Sequence, residues 1–105
     1  MREVSARDLR RRLDDDAPPL LLDVREHDEV AICRLANALH IPMAEVPARL
    51  HELDPDREIV VYCHHGQRSA AVAGFLERHD FVHVANLVGG IERWAVEIDP
   101  TMRRY

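Results

Sequence analysis

Cys63 ends an apolar run, Ile59, Val60, Val61 and Tyr62, and is followed by His64, His65, Gly66, Gln67, Arg68 and Ser69. The run is β-branched and aromatic, short enough for a strand and apolar on both faces, as in buried parallel sheets. Ala70 to Glu77 is rich in helix formers, with Val72, Phe75, Leu76 and His79 on one face. A strand feeding a helix through so short a loop aims backbone N–H groups at one point, and the helix dipole adds partial positive charge there. A thiolate suits that point, and with Arg68 close by the Cys63 pKa is expected below that of an ordinary thiol. Gly66 supplies a residue free to take positive φ in a tight loop. A cysteine at a strand end can also be plain buried apolar surface. Two histidines, a glycine, a glutamine and an arginine directly behind it make poor core and favour the chemical reading.

The remaining elements must hold this loop. Glu3 and Val4 read as a short first strand, and Ser5 with Asp8 as a capping box opening a helix to about Leu13, with Leu9 and Leu13 inward. Arg10 to Arg12 followed by Asp14 to Asp16 reads as a solvated helix end and loop. Leu20 to Val24 is a second buried strand with Arg25 just past its end, Glu26 to Ile32 a turn or two of helix, and Leu39 to Ile41 a short strand. Met43 to Leu53 reads as a helix interrupted or restarted at Pro47, because proline fits only a first turn. Phe81 to Leu87 holds a fifth strand, and Gly89-Gly90 turns into a last helix carrying Ile91, Trp94 and Ala95. Strands alternating with helices imply an α/β domain with a mostly parallel sheet. Ligands in such sheets bind beyond the carboxyl ends of the strands, so Asp23 and Arg25 are expected to share a rim with Cys63.

With 105 residues, 47% apolar and 31% charged, the chain has the size and composition of one globular domain, residues 1–105. No stretch is long enough for a membrane span and the first residues lack the apolar core of a signal peptide, so a cytoplasmic setting is expected. Cys33 and Cys63 lie 30 residues apart with no repeated spacing, which supports neither a disulfide framework nor a cysteine zinc site, and the histidines lack metal-ligand spacing. A net charge of -5 without a basic stripe argues against nucleic acid and anionic membranes as partners.

Three stretches together resemble the rhodanese (sulfurtransferase) family: LLDVRE at Leu21 to Glu26 with Glu29 after it, CHHGQRS at Cys63 to Ser69, and the tail from Gly89 to Tyr105. The resemblance implies a single rhodanese domain, a central five-stranded parallel sheet flanked by helices, and no cofactor. It implies that Cys63 takes a sulfane sulfur from a donor such as thiosulfate, holds it as a persulfide and passes it to a thiol, cyanide or protein acceptor. It implies further that His64, His65, Gly66, Gln67 and Arg68 cradle the persulfide and that Ser69 begins the helix. Loop amides suit the anionic persulfide and departing sulfite because they are already oriented. Arg68 could hold sulfonate oxygens through its fork of donors, or pair with a surface carboxylate. His64 and His65 read as loop shape and polarity before catalysis, and Asp23 and Arg25 as ties between strand and loop.

The chain departs from the family where many members carry glycine-histidine-isoleucine-proline-glycine-alanine. Here Cys33, Arg34, Leu35, Ala36, Asn37 and Ala38 stand, and only Ala38 agrees. Cys33 reads as a buried structural thiol, or as a second thiol that resolves a Cys63 persulfide. The tail resembles that of rhodanese domains attached to enzymes that activate sulfur-carrier proteins, a hint about the acceptor. Two rivals remain. One is a sulfur carrier or partner-docking module without turnover. The other is a phosphatase or arsenate reductase of related fold, whose Cys-x5-Arg loop is one residue longer than Cys63-x4-Arg68.

Overall fold

The runs marked as buried strands form Leu20–Asp23 (β2), Ile59–Tyr62 (β4) and Val84–Leu87 (β5), joined by Arg2–Val4 (β1) and Leu39–His40 (β3). In the computed structural model, which describes residues 1–105, they make one five-stranded sheet in the order β1-β5-β4-β2-β3. All four pairings are parallel. β4 lies between β5 and β2, which is why its residues are apolar on both faces and wholly buried. Ile59 and Val61 pack with Leu22, Val24 and Val84 against Val72, Ala73 and Leu76 of α3, Gln67–Arg78. Val60 and Tyr62 point the other way, into a second core with Leu9 of α1 (Ala6–Arg12) and Ile91 and Trp94 of α4 (Gly90–Glu97). The remaining helix, α2, is His27–Ile32. No helix is long and apolar enough to cross a membrane.

Local chemistry shifts several boundaries. α3 begins at Gln67, ahead of the helix formers, because Gly66 at φ +104° lets the chain enter the helix directly from the loop, so Ser69 is its third residue. Its far end closes when Asp80 takes φ +69° and the N–H groups of Asp80 and Phe81 reach back to the carbonyls of Glu77 and Leu76. Phe81 packs into the core beside Leu76 as part of that cap, so β5 starts only at Val84. His79 is exposed rather than on the inward face, its ring against Phe75 and its Nδ1 2.8 Å from the Phe75 carbonyl.

Residues 43–53 form two 3-10 segments, Met43–Glu45 and Pro47–Glu52, rather than an α-helix. Pro47 removes an N–H, and Arg49 leaves helical geometry at φ -119°. Where the chain departs from the family stretch, Asn37 takes φ +63°, a conformation that asparagine tolerates better than most residues, and Leu35 fills the second core. Cys33 is half-buried, not buried.

Candidate active site

Cys63 follows β4, and its sulfur sits at the base of the loop before α3. The Gly66 N–H donates to Sγ at 3.1 Å, the Ser69 N–H donates at 3.4 Å, and the Ser69 hydroxyl lies 3.3 Å away. Burial pushes the thiol pKa up, but these donors, with the His65 N–H, outweigh it and hold the thiol below its ordinary value. The direction matches the sequence expectation, and the leading causes are Ser69 and the loop N–H groups, with Arg68 and Cys63 also interacting through charge. Ser69 is fixed in turn: its hydroxyl donates to Asn86 Oδ1 at 2.6 Å, and Asn86 Nδ2 donates to the Gly66 carbonyl at 3.1 Å. The loop carbonyls are also engaged. The Cys63 carbonyl accepts from Ile91 N–H and the His64 carbonyl from Glu92 N–H, which leaves the loop N–H groups turned toward the sulfur. Gly90 permits this docking, since a Cβ there would lie 2.3 Å from the His64 carbonyl oxygen.

A second network flanks the loop. Asp23 and Arg25 are fully buried, with Arg25 Nη2 2.8 Å and Nε 3.0 Å from the carboxylate and the Tyr62 hydroxyl donating to it at 2.8 Å. Arg25 also donates to the carbonyls of Cys33 and Glu29 and to the Tyr105 hydroxyl, and so ties the end of β2 to α2 and the tail. Arg68 donates to Glu29 with both forks at 2.8 Å. The Tyr105 hydroxyl donates to the same carboxylate at 2.9 Å, and its ring stacks on His64 with centroids 3.8 Å apart.

A family profile for the rhodanese-like domain matches residues 5–97. The chain belongs to that family. This rhodanese-like domain is 38% identical to a sulfurtransferase of Allochromatium vinosum over 93 residues, 89% of this chain and 87% of the relative. It is 37% identical to the thiosulfate sulfurtransferase GlpE of Coxiella burnetii over 75 residues, 71% of this chain and 70% of that one. The crystal structure of a rhodanese-related protein from Thermoplasma volcanium matches with a TM-score of 0.85 at 34% identity, covering 93% of this chain and 94% of the other.

The rhodanese-like domain brings Cys63, Gly66 and Ser69 into direct contact, while Arg68 is paired with Glu29, and Asp23 and Arg25 are closed on each other at the end of the neighbouring strand. Gln67 and His65 are exposed, and neither the His64 nor the His65 imidazole is among the hydrogen-bond partners of the sulfur. His64 lies between His65 and Tyr105, with Nε2 buried and unpartnered. Burial, then the neighbouring His65, lowers its pKa, which keeps the ring neutral at pH 7. Sequence reasoning missed Asn86, Glu29 and Tyr105 as site residues. Asn86 carried a usable signal: it is an amide inside the apolar run Val84–Leu87, where a buried polar side chain needs a partner.

Proposed function

We propose that the protein is a sulfurtransferase that carries a sulfane sulfur on Cys63. The observation that carries this reading is the convergence of the Gly66 and Ser69 N–H groups and the Ser69 hydroxyl on one sulfur at the head of a twelve-residue helix. The thiolate attacks the outer sulfur of thiosulfate; the S–S bond of the donor breaks, its electron pair leaves with sulfite, and Cys63 becomes a persulfide anion. Cyanide, a thiol or a protein thiolate then attacks the outer sulfur and restores the Cys63 thiolate. His64, His65, Gly66, Gln67, Arg68 and Ser69 surround the transferred sulfur, while Asp23 and Arg25 support the loop. Names of relatives such as thiosulfate sulfurtransferase GlpE support thiosulfate as one donor. A protein acceptor in a sulfur-carrier system would use the same chemistry, and a reducing cytoplasm would keep both cysteines as thiols. Arg68, with both forks on Glu29, gives no support to a loop that wraps a phosphate.

Intact-protein mass after exposure to thiosulfate tests the proposal. The wild type is expected to gain one sulfur, about 32 Da, and to release it to cyanide as thiocyanate over repeated cycles, while Cys63→Ser gains nothing. Absence of the gain on wild type, or an equal gain on Cys63→Ser, would remove Cys63 from the role.

A further inference from the structure

Arg68 is the one arginine in the loop that a donor would meet, and the fold does not leave it free. Both of its forks donate to Glu29 at 2.8 Å, in parallel. Glu29 is itself fixed: the Glu26 N–H donates to Oε2 and the Tyr105 hydroxyl to Oε1, each at 2.9 Å, and its side chain is only 16% exposed. The other arginine of the site, Arg25, is closed on Asp23 inside the core. A donor therefore meets N–H dipoles and the partial charge of a helix end, roughly half an elementary charge, but no unpaired guanidinium. Such a cradle matches one negative charge on the transferred sulfur better than two on the whole donor.

We infer that Glu29 is a specificity-determining residue: by holding both forks of Arg68 it withholds that cation from the donor, disfavouring dianions such as thiosulfate against singly charged sulfane donors. Small-thiol persulfides are the class that this selects. The Cys63 thiolate attacks the outer sulfur of the persulfide anion R–S–S⁻, the donor S–S bond breaks, its electron pair leaves on R–S⁻, which takes a proton from solvent, and Cys63 becomes a persulfide anion. No external oxidant or reductant is needed. The inference rests on the sulfurtransferase reading and adds which donor charge the site accepts.

Thiosulfate and methanethiosulfonate isolate the charge, because both present a sulfane sulfur on a tetrahedral sulfonyl centre and differ by one negative charge. The readout is the ratio of their kcat/KM values, with cyanide as acceptor. Glu29→Gln keeps size and one acceptor oxygen but releases Arg68. It is expected to raise the thiosulfate-to-methanethiosulfonate ratio about three- to fivefold, through a lower KM for thiosulfate, the range for one half-exposed charge contact. The gain is expected to shrink with added salt and to be absent when Arg68→Gln is combined with Glu29→Gln. An unchanged ratio, including an equal fall with both donors, would assign Glu29 a purely structural part and overturn the inference. A gain that survives in the double variant would overturn it too, since Arg68 would not be its source. Wild type that takes sulfur from neither of these nor from a small-thiol persulfide would retire the parent reading and this one with it, whereas wild type that turns over with a flat ratio retires this one alone.

Discussion

Ser69 has one hydroxyl proton and two groups that can take it. Asn86 Oδ1 lies 2.6 Å from the oxygen and Cys63 Sγ lies 3.3 Å from it. While Cys63 is a thiol, its S–H can donate to the Ser69 oxygen and the hydroxyl can donate to Asn86. Ionisation makes the sulfur the stronger acceptor, and hydrogen bonds to a charged group are worth about 1.5–3 kcal/mol against about 1 for neutral ones. Ser69→Ala removes the largest of the contacts that lower the Cys63 pKa against its burial. Its pH profile of alkylation by iodoacetamide is expected to move to higher pH, with the rate at pH 7 slower on the order of tenfold. Fold stability is expected to fall as well, by about 1–3 kcal/mol in urea unfolding, because the buried Asn86 Oδ1 loses its donor, while the alkylation profile reads the thiolate separately. A profile unmoved by the substitution would show that the backbone N–H groups alone set the thiolate.

The strand, loop and helix around Cys63 were legible because they are contiguous: an apolar run, a glycine and a run of helix formers lie within twenty residues. What closes the loop from behind was not legible. The first turn of α4 donates N–H groups to the Cys63 and His64 carbonyls from more than twenty-five residues away, and no local spacing announces that contact. Asn86 and Tyr105 escaped for the same reason, since their contacts join distant parts of the chain. Residues 43–53 failed differently: Pro47 divides a pattern whose spacing alone suits a helix, and the chain settles into two 3-10 segments. At this scale Gly90 is the sharpest test. It holds φ +61°, and an added Cβ would meet the His64 and Cys63 carbonyl oxygens at 2.3 and 2.6 Å, which are backbone atoms with little room to move. Gly90→Ala is expected to cost about 2–4 kcal/mol in urea unfolding and to lower sulfur loading on Cys63 in the fraction that folds. Gly74→Ala is the control, because its added Cβ would meet only the Arg78 guanidinium, at an ordinary 3.5 Å. Equal stability of the two variants would show that α4 does not brace the loop.

Across the whole molecule, Glu29 is where separate parts of the chain meet: α2 carries it, Arg68 of α3 and the Tyr105 hydroxyl donate to it, and Tyr105 also accepts from Arg25 at the end of β2. Hydrogen bonds from Arg68, with smaller help from the Glu26 N–H and Tyr105, outweigh burial and bring its pKa from the ordinary 4.5 down to about 2. A carboxylate whose pKa is lowered by folding stabilises the fold above its unfolded pKa, and that contribution disappears as pH falls through the folded value. The contribution of Glu29 should therefore be complete above about pH 5, shrink as pH falls, and vanish only below about pH 2. Arg68 is 36% exposed, so solvent screening cuts the full linkage value to about 1–2 kcal/mol. In urea unfolding, Glu29→Gln is expected to be less stable than wild type by that amount at pH 7. As pH drops from about 5 the gap should narrow, because wild type acquires the neutral side chain that the variant already has. A gap that stayed constant down to pH 2.5 would mean that Glu29 contributes through its shape and not its charge, and would take with it the electrostatic argument for its hold on Arg68.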